Sequence, residues 1–153
     1  MFVHLHNHTH FSILEWLPKP KDYIKAAKAY GMTAVAITDT SNLHWCHEFY
    51  KYAKEEGLTP ILWTEIFVKS SIDDKLTHKT VLLAKNLDWF KNIITLTSMA
   101  SLDHHWNPHV TFEELASLSK DIICLSGPIT WEIPYFILSW QSEEKIVEKV
   151  KAY

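Results

Sequence analysis

Strand-length apolar runs separated by helix-length amphipathic stretches are the feature that most narrows what this sequence can fold into. Residues 2–8 alternate, with Val3 and Leu5 on one side and His4, His6 and His8 on the other, which is the two-residue period of a strand. Ala34, Val35, Ala36 and Ile37 form a continuous apolar run, as a strand covered on both faces requires. Further strands are predicted over 60–68, 80–84 and 122–126, with a polar turn at 70–75. Helices are predicted over 22–30, 43–56, 89–100, 112–118, 132–139 and 143–152. Pro18 and Pro20 lead into the first, Gly31 closes it, and Gly57 stops the second. The alternation implies an α/β fold whose mostly parallel sheet carries helices outside, either open or curled into a barrel. Chemistry in such folds gathers at the carboxyl ends of the strands. The sequence puts His6, His8, Asp39, Glu65 and Ser126-Gly127 there.

With 153 residues, 47% of them hydrophobic, the chain can bury one core and not two ordinary ones, so residues 1–153 are read as a single domain or part of one. A net charge of −3 gives no broad attraction to nucleic acid, so any DNA contact is local or belongs to other parts of a longer protein. The two cysteines form no CxxC pair, no signal-peptide pattern opens the chain, and no apolar run approaches the ~20 residues of a membrane span. A cytoplasmic protein without disulfides or membrane contact is expected. The last predicted helix runs on without a stop signal, which predicts a domain cut short at its C-terminal side.

His4, His6, His8 and His10 occupy even positions, so a strand would carry all four on one face. A lone histidine is more often a core or surface residue than a ligand. Four on one face of an apolar-backed strand read differently, because imidazole is the commonest metal ligand near neutral pH and neighbours at i and i+2 can converge on one ion. A solvated histidine face or the remnant of a tag is the alternative, although a tag would not alternate with Val3 and Leu5. Glu15, Asp39 and Glu65 add oxygen donors of the kind that Zn, Mn or Fe sites for phosphate chemistry use. Each alone is more commonly a surface charge or a cap. Their recurrence at successive strand ends makes them a candidate cluster.

The words Phe2-Val3-His4-Leu5-His6-Asn7-His8-Thr9 and Phe11-Ser12-Ile13-Leu14-Glu15 resemble the opening of PHP (polymerase and histidinol phosphatase) domains of the polymerase type. So do Ala34-Val35-Ala36-Ile37-Thr38-Asp39, Glu48-Phe49-Tyr50, Leu82-Leu83-Ala84-Lys85-Asn86 and Glu132-Ile133-Pro134, and the resemblance extends over essentially the whole chain. It implies a distorted, TIM-like β/α barrel, incomplete here at the C-terminus, that carries a cluster of divalent metal ions in active members. His6 and His8 match the His-x-His ligand pair, Glu15 the acidic ligand after it, and Glu65 the glutamate of the third strand. Asp39 and His78, the candidate for a fourth-strand histidine, complete the set. The implied function is that of the N-terminal fragment of a replicative DNA polymerase III alpha subunit, with a vestigial 3′-5′ exonuclease or phosphoesterase site. DNA and other replisome subunits would be partners through the parent polymerase, whose own transfer centre would use Mg. The alternative is a free-standing phosphoesterase of the histidinol phosphatase kind.

Several positions depart from the family pattern. Thr40 stands where a histidine follows the aspartate in active members, and Pro128 where a cysteine is common. Alignment from Leu82-Leu83-Ala84 puts Lys79 rather than His78 at the fourth-strand ligand position, and a one-residue offset turns a strand side chain to the opposite face. The closing Asp-x-His motif is expected beyond Tyr153. His104, His105 and His109 are read as surface residues. Trp16, Trp45, Trp63 and Trp89, with Trp131 and Trp140, stand where family members usually or commonly carry glycine, as does Ser41. Left-handed backbone strain is therefore expected at the tryptophans, and UGA codons read as glycine in the cell would account for them.

Overall fold

The computed structural model describes residues 2–70, 76–103, 108–120, 122–125, 131–139 and 142–152. Its elements follow the predicted order closely: α1 (Pro20–Ala29), β1 (Ala34–Ile37), α2 (Cys46–Glu55), β2 (Thr59–Lys69), β3 (Thr77–Ala84), α3 (Leu87–Asp103), α4 (Phe112–Ser117), β4 (Ile122–Leu125), α5 (Glu132–Leu138) and α6 (Glu143–Ala152). Pro20 opens α1 at a position where its missing N–H costs nothing. Thr111 and Glu114 exchange hydrogen bonds with each other's backbone N–H at the start of α4. None of the described helices is long and apolar enough to cross a membrane.

The strands lie in the order β1-β2-β3-β4. Among the described strands only β1 and β2 are parallel, whereas β2 pairs antiparallel with β3 and β3 antiparallel with β4. The sheet is therefore mixed, not mostly parallel as expected. The connection from β2 to β3 covers residues 70–76 only, where a parallel crossover needs about a dozen residues or more. The Ser70 N–H closes this hairpin on the Leu76 carbonyl at 2.9 Å.

The sheet has two distinct faces. Ile66, Val68 and Leu82 pack with Ile93, Leu96 and Ala100 of α3 and Leu115 of α4, while Val35 and Ile37 pack with Ile24 of α1 and Phe49 of α2. Each of the Val, Ile, Leu and Phe side chains contributes about 1.5–3 kcal/mol on leaving water. On the opposite face lie Ala36, Trp63, Val81 and Leu83. Strand alternation puts Glu65 and Lys79 on this second face too.

The predicted strand over 2–8 forms no regular ladder. Asn7 accounts for the difference. Its N–H donates to Thr38 Oγ1 at 3.1 Å, its side-chain amide donates to the Ala36 carbonyl at 3.0 Å, and its carbonyl accepts from the Thr38 N–H at 2.7 Å. Two of these three bonds use side chains, so a regular ladder is interrupted while the segment lies along β1.

Trp45, Trp63, Trp89 and Trp131 are buried, whereas Trp16 is half exposed. The strain expected at the tryptophans is absent among the described residues, since positive φ occurs at Leu14 (68°) and Ser41 (55°) and at no tryptophan. Trp45 has φ −78° and stacks edge-on against Phe49 with ring centres 5.4 Å apart. Of the described positions flagged as family glycines, Ser41 is the one whose backbone favours glycine. Trp140, Ser126, Gly127, Pro128, His104 and His105 lie outside the described residues.

Candidate metal centre

Where β1 ends, Asp39 is fully buried, and its oxygens accept from the Thr9 N–H (2.6 Å), the Thr9 hydroxyl (2.6 Å) and the Ser12 hydroxyl (2.7 Å). The carboxylate ties the histidine-bearing segment to the end of the strand. These three bonds make it a brace, and its oxygens are not among the ligand atoms that gather at His6, His8 and Glu65.

The bond from Ser12 fixes the histidine beside it. A hydroxyl has one proton, and Ser12 gives it to Asp39, so it accepts from the Thr40 N–H at 3.1 Å and from His8 Nδ1 at 3.1 Å. His8 therefore carries its proton on Nδ1 and presents a bare Nε2. The Tyr23 hydroxyl donates to the His8 carbonyl at 2.6 Å, and the Trp16 indole lies parallel to the imidazole with centres 5.9 Å apart. Burial holds the His8 pKa below its ordinary value, against the raising pull of Glu65, so the neutral, ligating form prevails at neutral pH.

His8 Nε2 faces His6 Nε2 at 3.0 Å and Glu65 Oε2 at 3.9 Å, and His6 Nε2 is 3.3 Å from Glu65 Oε1. These ligand atoms of His6, His8 and Glu65 all lie within 4.8 Å of one another. Ligands bonded at ~2 Å to one ion have that spacing, and two imidazoles with a carboxylate suit Zn, Mn or Fe while leaving a position open. Glu65 is almost wholly buried, whereas the His6 side chain is 44% exposed and gives the site its solvent side. Burial would raise the Glu65 pKa, but hydrogen bonds from His6 and Lys79 outweigh it and hold the carboxyl at about 2.

The remaining candidates are outside the three gathered ligand atoms. Glu15 joins the edge of the site, with Oε1 3.0 Å from Lys79 Nζ and Oε2 3.1 Å from Thr40 Oγ1. His78 pairs with Val68 on the helix-packed face, and its ring lies 5.8 Å from that of Tyr135. Lys79, one residue on, faces the site and places Nζ 3.0 Å from Glu65 Oε2. Of the four even-numbered histidines only two converge. His4 packs against Phe2 and His10 against Phe11, because the segment is not a regular strand. Sequence reading missed Thr9, Ser12 and Tyr23 as supports, and gave Lys79 no role of its own. The Lys79 signal lies in the hairpin register, since Glu65 pairs with Val81 and Phe67 with Lys79, making Glu65 and Lys79 diagonal neighbours on one face.

The family model described as "PHP domain" matches residues 4–153. The chain is 35% identical over 152 residues to the DNA polymerase III subunit alpha of Borreliella burgdorferi, covering 94% of this chain and 13% of that protein. It is 38% identical to the same subunit of Buchnera aphidicola from Acyrthosiphon pisum, covering 92% of this chain and 12% of that protein. With the Aquifex aeolicus subunit the identity is 31%, over 99% of this chain and 14% of the relative. The chain thus spans about one eighth of the length of the relatives it matches, and over almost all of its own length it belongs to the PHP domain family.

Proposed function

We propose that this chain is the N-terminal PHP domain, or part of it, of a replicative DNA polymerase III alpha subunit, working in the cytoplasm alongside DNA and other replisome subunits. The similarity to alpha subunits over more than nine-tenths of the chain supports this reading. The four-stranded sheet would then be part of the distorted β/α barrel of the complete domain. Nucleotidyl transfer, with its Mg ions, would reside in parts of the longer polymerase. As isolated, the chain should not extend a primer, and extension by purified protein would refute the assignment.

The site reading rests on one observation, the approach of His6, His8 and Glu65 ligand atoms to within 4.8 Å. We propose that these three residues hold one divalent ion, Zn, Mn or Fe. A bound ion would supply a water of lowered pKa and a Lewis acid for a phosphoester oxygen. His8 offers Nε2 in the required tautomer, Glu65 supplies charge from a buried strand position, and the exposed side at His6 admits a phosphate.

Metal analysis of protein purified without chelator, for the natural chain and for His8→Ala, tests this. Stoichiometric metal lost in His8→Ala is the expected result, and equal metal in both would overturn it. Release of nucleotides from a DNA 3′ end in the presence of Mn or Zn would identify a working exonuclease. Turnover of a small phosphomonoester without action on DNA would favour the free-standing phosphoesterase instead.

A further inference from the structure

The two oxygens of Glu65 face different partners. Oε1 looks toward His6, while Oε2 lies 3.0 Å from Lys79 Nζ and 3.1 Å from Thr40 Oγ1. Glu15 meets the same two groups from the other side, with Oε1 3.0 Å from Lys79 Nζ and Oε2 3.1 Å from Thr40 Oγ1. Two carboxylates drawn onto one point need positive charge between them. The ammonium of Lys79 provides it, on a side chain that is only 24% exposed and passes over the Phe67 ring at 5.5 Å.

We infer that Lys79 is a built-in cation filling the space between Glu15 and Glu65, so that the chain takes one divalent ion, at His6, His8 and Glu65, and no second ion beside Glu15. This rests on the metal-binding reading of the His6-His8-Glu65 group. Charge supports it. With neutral histidines the group carries two carboxylates and one ammonium, a net charge of −1, which attracts one dication. A second ion bridging the carboxylates would have to displace the ammonium or sit against it, where like charges about 4 Å apart repel strongly in a partly buried site. Lys79 is thus a specificity-determining residue, setting the number of ions.

The test is a calorimetric titration of the full chain, stripped of metal, with Mn and with Zn, together with metal counting after dialysis and circular dichroism as a fold control. The natural chain should bind one ion, and Lys79→Met should gain a second ion or bind the first about tenfold more tightly. Lys79→Arg should keep the natural count. Glu15→Gln provides a second route that leaves Lys79 in place, and it should still bind one ion with affinity within about threefold of natural. Two ions on the natural chain, a Lys79→Met protein indistinguishable from it, or loss of the single ion in Glu15→Gln would overturn the inference. The outcomes separate the two claims. One ion that depends on His8, with no effect of Lys79→Met, defeats only the role of Lys79. Binding that ignores His8→Ala defeats the site itself.

Discussion

Asp39 and His8 are joined through a single hydroxyl, that of Ser12, which donates to Asp39 Oδ1 at 2.7 Å and accepts from His8 Nδ1 at 3.1 Å. The buried carboxylate settles the proton on the imidazole without touching it. Removing the hydroxyl should free the ring to flip and to change tautomer. Ser12→Ala is expected to fold, to lose about 1–3 kcal/mol, and to bind metal 10–100-fold more weakly. Nitrogen chemical shifts of His8 would show the Nδ1-protonated form in the natural chain and a mixture in the variant.

Asp39 itself should matter more for folding than for chemistry. Asp39→Ala leaves the Thr9 N–H and the two hydroxyls of Thr9 and Ser12 without their buried acceptor, and each charge-assisted bond contributes about 1.5–3 kcal/mol. A loss of about 3–5 kcal/mol in urea denaturation, measured without metal, is the expected result. A variant as stable as the natural chain would show that the brace is idle.

Glu65 makes stability depend on acid. Its folded-state pKa of about 2 lies below the ordinary 4.5, so protonation favours the unfolded chain. The contribution is complete above about pH 5 and disappears as the pH falls from about 4.5 through 2; its full size is of order 3 kcal/mol. Denaturation midpoints of metal-free protein should fall across that window, and Glu65→Gln should flatten the fall. An unchanged slope in Glu65→Gln would contradict the assignment.

Ser41 offers the reverse case, a substitution that should stabilise. Its φ of 55° is left-handed, and its buried hydroxyl has no hydrogen-bond partner among the described residues. Ser41→Gly removes both costs while keeping the N–H that donates to the Glu65 carbonyl at 2.7 Å. A gain of about 1 kcal/mol in thermal or urea unfolding is expected.

Much of the fold was written locally in the chain. Ala34–Ile37 and Glu143–Ala152 appear where their apolar runs and periodicity put them. Strand direction was misjudged even though the short polar turn at 70–75 is too brief for a parallel crossover. His6 and His8 share a side by their two-residue spacing and are held there by Glu65 and Ser12, whereas His4 and His10 pack against Phe2 and Phe11. Asp39 illustrates the limit. A strand-end carboxylate can ligate or brace, and the bonds it takes from Thr9 and Ser12, some 30 positions away in sequence, cannot be read from spacing. The offset between His78 and Lys79 became certain only with the register. The tryptophans at 45, 63, 89 and 131 sit in helical or extended backbone that tolerates them, so the codons of the gene, UGG or UGA, are the direct test of their identity.

The attachment of the opening segment has a consequence for how quickly an ion could come and go. Asn7 and Thr9 are pinned on either side of His8, but His6 precedes both anchors. In the proposed metal site, His8 and Glu65 would be two fixed jaws of a vice and His6 a swinging one. Under the proposed metal reading, the half-exposed His6 imidazole would be the first ligand to leave, by a fast side-chain rotation that needs no opening of the sheet.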